Sequence, residues 1–278
     1  MERGRPVKKT ENEKKTQNAV NSVKKSDEPI VSVVMPAYRC AATIEKAIQS
    51  VLIQSVPLEL IVINDQSPDE LDEIMKRFEA DPRVHYMKNE KNLGVAMSRN
   101  RGVAKARGAY VAFLDADDWW AEDKLEKQLK LLKETDAVLC CTGRELITPD
   151  GVQTGRVIPV RTEITYRMML HQNWINCSSA VLKTEAAKAI PMAHEDGHED
   201  YILWLKLLKK YGKAVAVNEP LLKYRLSTKG KSGNKLHSAK MTYHSYRYAG
   251  LSAGKSLLCF IAYALNGVWK YLKAYLKF

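Results

Sequence analysis

Tyr110-Val111-Ala112-Phe113-Leu114-Asp115-Ala116-Asp117-Asp118-Trp119-Trp120 joins an apolar, β-prone run directly to three acids. A buried strand that ends this way is electrostatically awkward, because the carboxylates repel one another and resist leaving water. A divalent cation at the strand end relieves that repulsion. Asp115 and Asp117, spaced as Asp-Ala-Asp, suit an oxygen-ligated Mg²⁺ or Mn²⁺ that takes its remaining ligands from phosphates. Asp118 has a plainer reading, as the cap of a helix expected from about Ala121 to Glu134.

Upstream, the same type of run recurs. Ile30 to Met35 is short, apolar and β-branched, and Pro36 stops it. Leu58 to Asn64 is a second buried strand and Val84 to Met87 a third, shorter one. Between them Ile44, Ala47, Ile48, Val51 and Leu52 repeat at helical spacing. Ser67-Pro68-Asp69-Glu70 supplies an N-cap, a first-turn proline and a capping-box Glu for a helix to about Ala80. Gly94 to Ala106 is a further helix. After Trp120 another strand is expected at Ala137 to Cys141.

Strands alternating with helices define the α/β class, with a largely parallel sheet covered on both faces. Ligands of such sheets bind beyond the carboxyl ends of the strands. Tyr38, Asp65 and Asp115 each follow a different strand end, so they are predicted to converge on one crevice. Asp65 is placed to accept a hydrogen bond from a base or ribose.

Beyond Gly143 the pattern weakens. Pro149-Asp150-Gly151 is a turn, Tyr166 to His171 a helix, and Ser178 to Leu182 a strand. A polar loop from Pro191 to His198 precedes a strongly apolar helix opened by Glu199-Asp200. Acids at a helix N-terminus are favourable in themselves. Here they also offer a general base held by a helix anchored in the core. Short strands are expected at Ala214 to Val217 and Leu221 to Tyr224. A Gly/Ser/Lys-rich mobile stretch follows from Ser227 to Asn234, then two helices, Lys235 to Tyr248 and Leu251 to the end.

Several motifs are excluded. Gly254-Lys255-Ser256 lacks both the earlier glycine and the strand of a phosphate-binding loop. No GxGxxG follows the first strand, which argues against dinucleotide chemistry. His194-Glu195-Asp196-Gly197-His198 matches the zinc-peptidase pattern, but Pro191, Asp196 and Gly197 oppose the helix which that chemistry needs. Five cysteines without a CxxC argue against a disulfide framework and for a reducing compartment.

Of the net charge of +12, eleven Lys or Arg lie between Pro220 and Phe278, where there is no Asp or Glu. These cations are interleaved with apolar and aromatic residues, which favours an anionic membrane surface over nucleic acid. Between Lys255 and Lys270 lie fourteen mostly apolar residues, fewer than the roughly twenty of a spanning helix. With Trp269, Tyr271 and Tyr275 they suit a helix lying in the interface. Residues 1–28 are polar, lack aromatics and read as a disordered tail. The expected division is therefore tail 1–28, catalytic domain 29–226 and basic helical segment 227–278.

Four blocks together resemble the family 2 glycosyltransferases. They are Val31-Ser32-Val33-Val34-Met35-Pro36-Ala37-Tyr38, Ile63-Asn64-Asp65-Gln66-Ser67-Pro68-Asp69, Phe113-Leu114-Asp115-Ala116-Asp117-Asp118 and His198-Glu199-Asp200-Tyr201. They fall in the family's order, and the similarity covers about Ile30 to Tyr224. The C-terminal part, with Ser232-Gly233-Asn234-Lys235, is similar to teichuronic-acid and capsule-type transferases. The resemblance implies a GT-A fold and an inverting, metal-dependent enzyme that uses a nucleotide-sugar, with UDP as the expected nucleotide. The implied acceptor is a glycan or lipid-linked glycan, met at the inner face of the cell membrane.

The resemblance also implies roles. Pro36 and Tyr38 line the nucleotide pocket, Asp65 binds uracil, and Asp115, with Ala116 beside it, contacts ribose or sugar. Asp117 holds the metal. Arg99 sits where the family often places a nucleotide-contacting arginine, and Asp200 is the catalytic base with Glu199 beside it. Asn64 departs from the family's usual Asp. The competing readings are a sugar nucleotidyltransferase and a non-catalytic basic module. The first is disfavoured because Pro36-Ala37-Tyr38-Arg39-Cys40 lacks a glycine-rich loop.

Overall fold

Side-chain alternation along three strands splits the interior into two cores. In β1 (Val31–Ala37), Val31, Val33, Met35 and Ala37 face one core while Val34 faces the other. β2 (Leu58–Asn64) divides Leu58, Leu60 and Val62 from Ile61 and Ile63 in the same way. β4 (Tyr110–Phe113) divides Ala112 from Val111 and Phe113. A strand buried on both sides must sit inside a sheet with helices on each face. The computed structural model describes residues 28–226 and 235–275. The expected tail up to residue 27, the 227–234 stretch and the side chains from 268 onward, with Trp269, Tyr271 and Tyr275, lie outside the described residues.

The first half is the expected parallel array. β1 pairs in parallel with β2 and β4, and β2 with β3 (Val84–Lys88). The register matches Ala37 to Asn64, so β1 and β2 end level, and Val34 to Phe113, so β4 ends three residues before them. α1 (Ile44–Leu52) packs its apolar stripe into the first core and α3 (Val95–Lys105) into the second. The helix expected from Pro68 begins only at Leu71. α2 (Leu71–Met75) is one turn, followed by a 3₁₀ turn at Lys76–Phe78. The capping residues are used elsewhere. The Ser67 amide donates to Asn64 Oδ1 (2.7 Å), and Ser67 Oγ and Asp69 accept the amides of Arg39 and Ala41 (2.7 and 2.8 Å). These bonds tie the end of β2 to the loop after β1.

In the second half the sheet becomes mixed. β5 (Trp119–Trp120), β6 (Leu139–Ile147), β7 (Gln153–Ile158), β8 (Glu163–Thr165), β9 (Val181–Lys183) and β10 (Lys213–Arg225) complete the order β3-β2-β1-β4-β9-β6-β10-β5. β7 flanks β6 and β8 flanks β10. β5, β7 and β8 pair antiparallel with their neighbours, while β10 runs parallel to β6. β9 runs antiparallel to both β4 and β6. Its expected first residues form a 3₁₀ turn, Cys177–Ser179, capped by Asn176 Oδ1 accepting the Ser178 amide. The two strands expected around Pro220 are one, with a register shift between Val217 and Leu222 where proline has no amide for the ladder. α4 (Lys124–Thr135) starts later than expected because Trp119 and Trp120 pair with Lys223 and Leu222. Asp118 is therefore not its cap. It is buried and accepts the Arg225 amide at 2.9 Å, fastening β10 to the acid loop.

α5 (Tyr166–His171), α6 (Thr184–Ala189), α7 (Glu199–Tyr211), α8 (Lys235–Tyr248) and α9 (Ala253–Tyr275) complete the chain. α7 buries Tyr201, Ile202, Leu203, Trp204, Leu205, Leu207 and Leu208. Each contributes about 1.5–3 kcal/mol by leaving water, so the helix and its first turn are firmly placed.

Candidate active site

A cleft of about 660 Å³ opens over the strand ends, within the range typical of small-molecule sites. All nine residues singled out from the sequence line it: Pro36, Tyr38, Asp65, Arg99, Asp115, Ala116, Asp117, Glu199 and Asp200.

The wall nearest α3 is built around Asp65. Its carboxylate accepts from Asn89 Nδ2 (2.6 Å) and from the Leu93 and Gly94 amides (both 2.8 Å). A second carboxylate, Glu195, accepts the Ala96 amide at 2.8 Å. Two acids thus satisfy amides at a helix N-terminus, where negative charge is favoured. Gly94 makes this possible. Its φ of 85° and ψ of 165° lie in a region essentially reserved for glycine. A Cβ there would stand 2.2 Å from Glu195 Oε1. Asn64 is also explained. Its amide nitrogen donates to Asp72 (3.1 Å) and Tyr86 (2.6 Å) while its oxygen accepts from Ser67, and a carboxylate has no donor for the first two.

Asp115 and Asp117 follow β4 as expected. The Asp115 amide donates to Ser178 Oγ (3.1 Å), and its Oδ1 is 2.6 Å from Arg99 Nη2. Burial, then the Asp115 charge, pushes the Asp117 carboxyl up to about 6, against the pull of Arg225. Burial, then the Asp117 and Asp115 charges, also push the Asp118 carboxyl well above the ordinary range. Arg225 Nε donates to the Asp117 carbonyl at 2.9 Å, which fixes the loop from the β10 side.

Arg99 is 4% exposed and joins the two acidic walls. Besides Asp115 it holds Glu199 Oε1 at 2.9 Å. That pairing separates two neighbouring acids: Glu199 is buried and neutralised by Arg99, whereas Asp200 accepts the Tyr201 amide at 2.7 Å. Burial, and then the Glu199 charge, raises the Asp200 carboxyl to about 7. A carboxylate so tuned takes a proton near neutral pH. Trp204 stands against Phe113 of β4, with ring centroids 6.4 Å apart, and locks this helix to the strand that carries the other acids.

Among the described residues no three His, Cys, Asp or Glu side chains close into a ready metal cage. The donor set still fits Mg²⁺ or Mn²⁺ shared with a ligand. Asp117 supplies a hard oxygen whose raised pKa a cation would lower, Asp115 keeps oxygen capacity beyond Arg99, and phosphate oxygens complete the shell.

The cleft is also lined by Asn176, Cys177, Glu195, His198 and Tyr224. The sequence carried no signal for Asn176 or Cys177. Glu195 was visible only inside the zinc-like pattern, and His198 at its end and at the start of the His198-Glu199-Asp200-Tyr201 block. That segment is a loop, with His194 at a φ of 66° and the Gly197 amide bonded to the His194 carbonyl.

The profile described as "Glycosyl transferase family 2" matches residues 32–189. A Bacillus subtilis protein named for teichuronic acid biosynthesis, the glycosyltransferase TuaG, is 38% identical over 88% of this chain and 98% of its own. An Escherichia coli protein named UDP-Glc:alpha-D-GlcNAc-diphosphoundecaprenol beta-1,3-glucosyltransferase, WfaP, is 33% identical over 88% of this chain and 97% of its own. Among solved structures, Staphylococcus aureus TarS 1–349 with UDP-GlcNAc superposes with a TM-score of 0.66 at 17% identity, covering 84% of this chain and 71% of that one. Pyrobaculum calidifontis mannosyltransferase PcManGT, solved with GDP-Man and Mn²⁺, gives 0.64 at 18%, covering 84% and 69%. These likenesses establish a GT-A fold. They also set aside the nucleotidyltransferase and binding-module readings, for the chain is an enzyme that belongs to glycosyl transferase family 2.

Proposed function

We propose that the enzyme transfers a sugar, with inversion, from a UDP-sugar to a hydroxyl of a lipid-linked glycan in cell-surface polysaccharide synthesis. One observation carries the reading: four sequence blocks meet in one cleft, with Asp65, Asp115 and Asp117 from the strand-end loops and Asp200 from the first turn of α7 among its lining residues. The two similar bacterial proteins, one named for teichuronic acid biosynthesis and one for transfer to a diphosphoundecaprenol-linked sugar, support the process.

Each residue has a task in this reading. Pro36 and Tyr38 flank the nucleoside. Among the described residues Asp65 Oδ2 accepts one amide, that of Gly94, leaving a lone pair for a uracil N–H. Asp115 and Ala116 lie along the ribose and sugar, and Arg99 fixes Asp115 relative to Glu199. Asp117 holds Mg²⁺ or Mn²⁺, which when bound neutralises charge on the departing diphosphate. Asp200 takes the proton of the acceptor hydroxyl. The freed oxygen attacks the anomeric carbon from the face opposite the diphosphate, and the carbon–oxygen bond to phosphate breaks with its electron pair leaving on UDP. The acceptor chemistry puts the enzyme peripherally at the anionic inner face of the cell membrane. Among the described residues no helix is long and apolar enough to cross a membrane.

A panel of nucleotide-sugars, scored with Mn²⁺ for thermal shift and donor hydrolysis, tests the donor. UDP-sugars are expected to stand out. Asp117→Ala should weaken Mn²⁺-dependent UDP binding roughly 10- to 100-fold. Unchanged affinity would remove Asp117 from the metal site.

A further inference from the structure

α9 is apolar on two opposite faces. Inward, Ser256 and Cys259 are buried, while Phe260 and Tyr263 pack on the core and against Tyr243 and Tyr201. Outward, Leu257 (52% exposed), Leu258 (69%), Ile261 (46%) and Leu265 (64%) stand in solvent. Their spacing of i, i+1, i+4 and i+8 puts all four on one stripe. Single exposed apolar residues are ordinary, but a contiguous row marks a contact surface.

Charge selects the occupant. The segment from Pro220 to the end carries eleven basic residues and no acid, and Lys255 lies exposed at the start of the stripe. Two copies of this face would bring like charges together, whereas an anionic bilayer meets both the charge and the apolar row. We propose that the outer face of α9 docks on an anionic lipid bilayer; this deepens, and rests on, the reading of the acceptor as lipid-linked.

The same helix pair reaches the base loop. α9 packs on α8, whose Ser245 Oγ accepts the His198 amide at 3.0 Å, one residue before Glu199. Tyr248 of α8 stacks on His194 (3.8 Å between centroids, 2° between planes) and donates to Asp196 at 2.6 Å. The docked helices thereby hold the segment that leads into Asp200.

Flotation of the full chain with phosphatidylglycerol/phosphatidylcholine vesicles, against phosphatidylcholine alone, tests the proposal. The wild type should float with the anionic vesicles. Leu258→Glu/Leu265→Glu should lower the bound fraction about tenfold. Ile53→Glu, at an apolar residue outside the stripe that is also more than half exposed, should leave it unchanged. A UDP-induced thermal shift retained in the double variant shows that it is folded. Undiminished flotation of the double variant overturns the proposal. So does a wild type that ignores vesicles, whether monomeric or forming a dimer which the double variant dissociates. Flotation that behaves as expected in a chain with no UDP response would instead count against the nucleotide-sugar reading alone.

Discussion

Asp65 and Asp200 line one cleft in opposite surroundings. Asp65 is held by an asparagine side chain and two backbone amides, which fix the orientation of its carboxylate. Asp200 receives one amide, sits beside Glu199, and is pushed up to about 7 by burial. The first environment suits holding a ligand in one geometry. The second suits gaining and losing a proton. In the proposed reading, the carboxyl assigned to binding meets three donors and the one assigned to proton transfer meets one.

The largest effect should come from breaking the connection between the walls. Arg99→Met leaves Asp115 and Glu199 without their buried counter-charge. It should destabilise the fold by about 3–5 kcal/mol in urea titrations. A loss below about 1 kcal/mol, the size of a surface pair, would show that Arg99 does not join them. Gly94→Ala attacks the Asp65 wall, forcing alanine into a glycine-only conformation and onto Glu195. A cost of about 2–3 kcal/mol is expected, smaller in a Glu195→Ala background; equal costs in the two backgrounds would deny the contact.

The mildest probe is pH. Asp200 must be ionised to act as base, so transfer should fall as pH drops below about 7 and level off above it, by about tenfold per unit on the acid side. A profile flat down to pH 5.5 would sever the link between this carboxyl and the rate.

The half of the molecule before Asp117 was largely legible because its strands are buried on both faces and its helices carry regular apolar stripes. Strand ends then place Tyr38, Asp65 and Asp115 together without any contact being known. Other features are tertiary and left no local trace. β9 is three residues long and gains its place only between β4 and β6. Arg99 meets partners sixteen and one hundred residues away. Asp118 looked like a cap for the next helix, but its partner is the Arg225 amide, 107 residues on. The Ser67-Pro68-Asp69-Glu70 signature failed because the loop after β1 competes for the same side chains.

The central claim is that Asp200 is the base on a wall separate from nucleotide binding. Asp200→Asn keeps the shape and removes a carboxyl whose folded pKa is raised. That carboxyl's contribution to stability is full below its unfolded value of about 3.9 and is lost as pH rises through about 7. At pH 8 the variant should therefore be at least as stable as wild type. Turnover of the preferred UDP-sugar and UDP affinity, measured side by side in the two proteins, is the direct test. Transfer should drop on the order of 10²–10⁴-fold with affinity nearly unchanged; near-normal transfer, or affinity lost in step with rate, would contradict it.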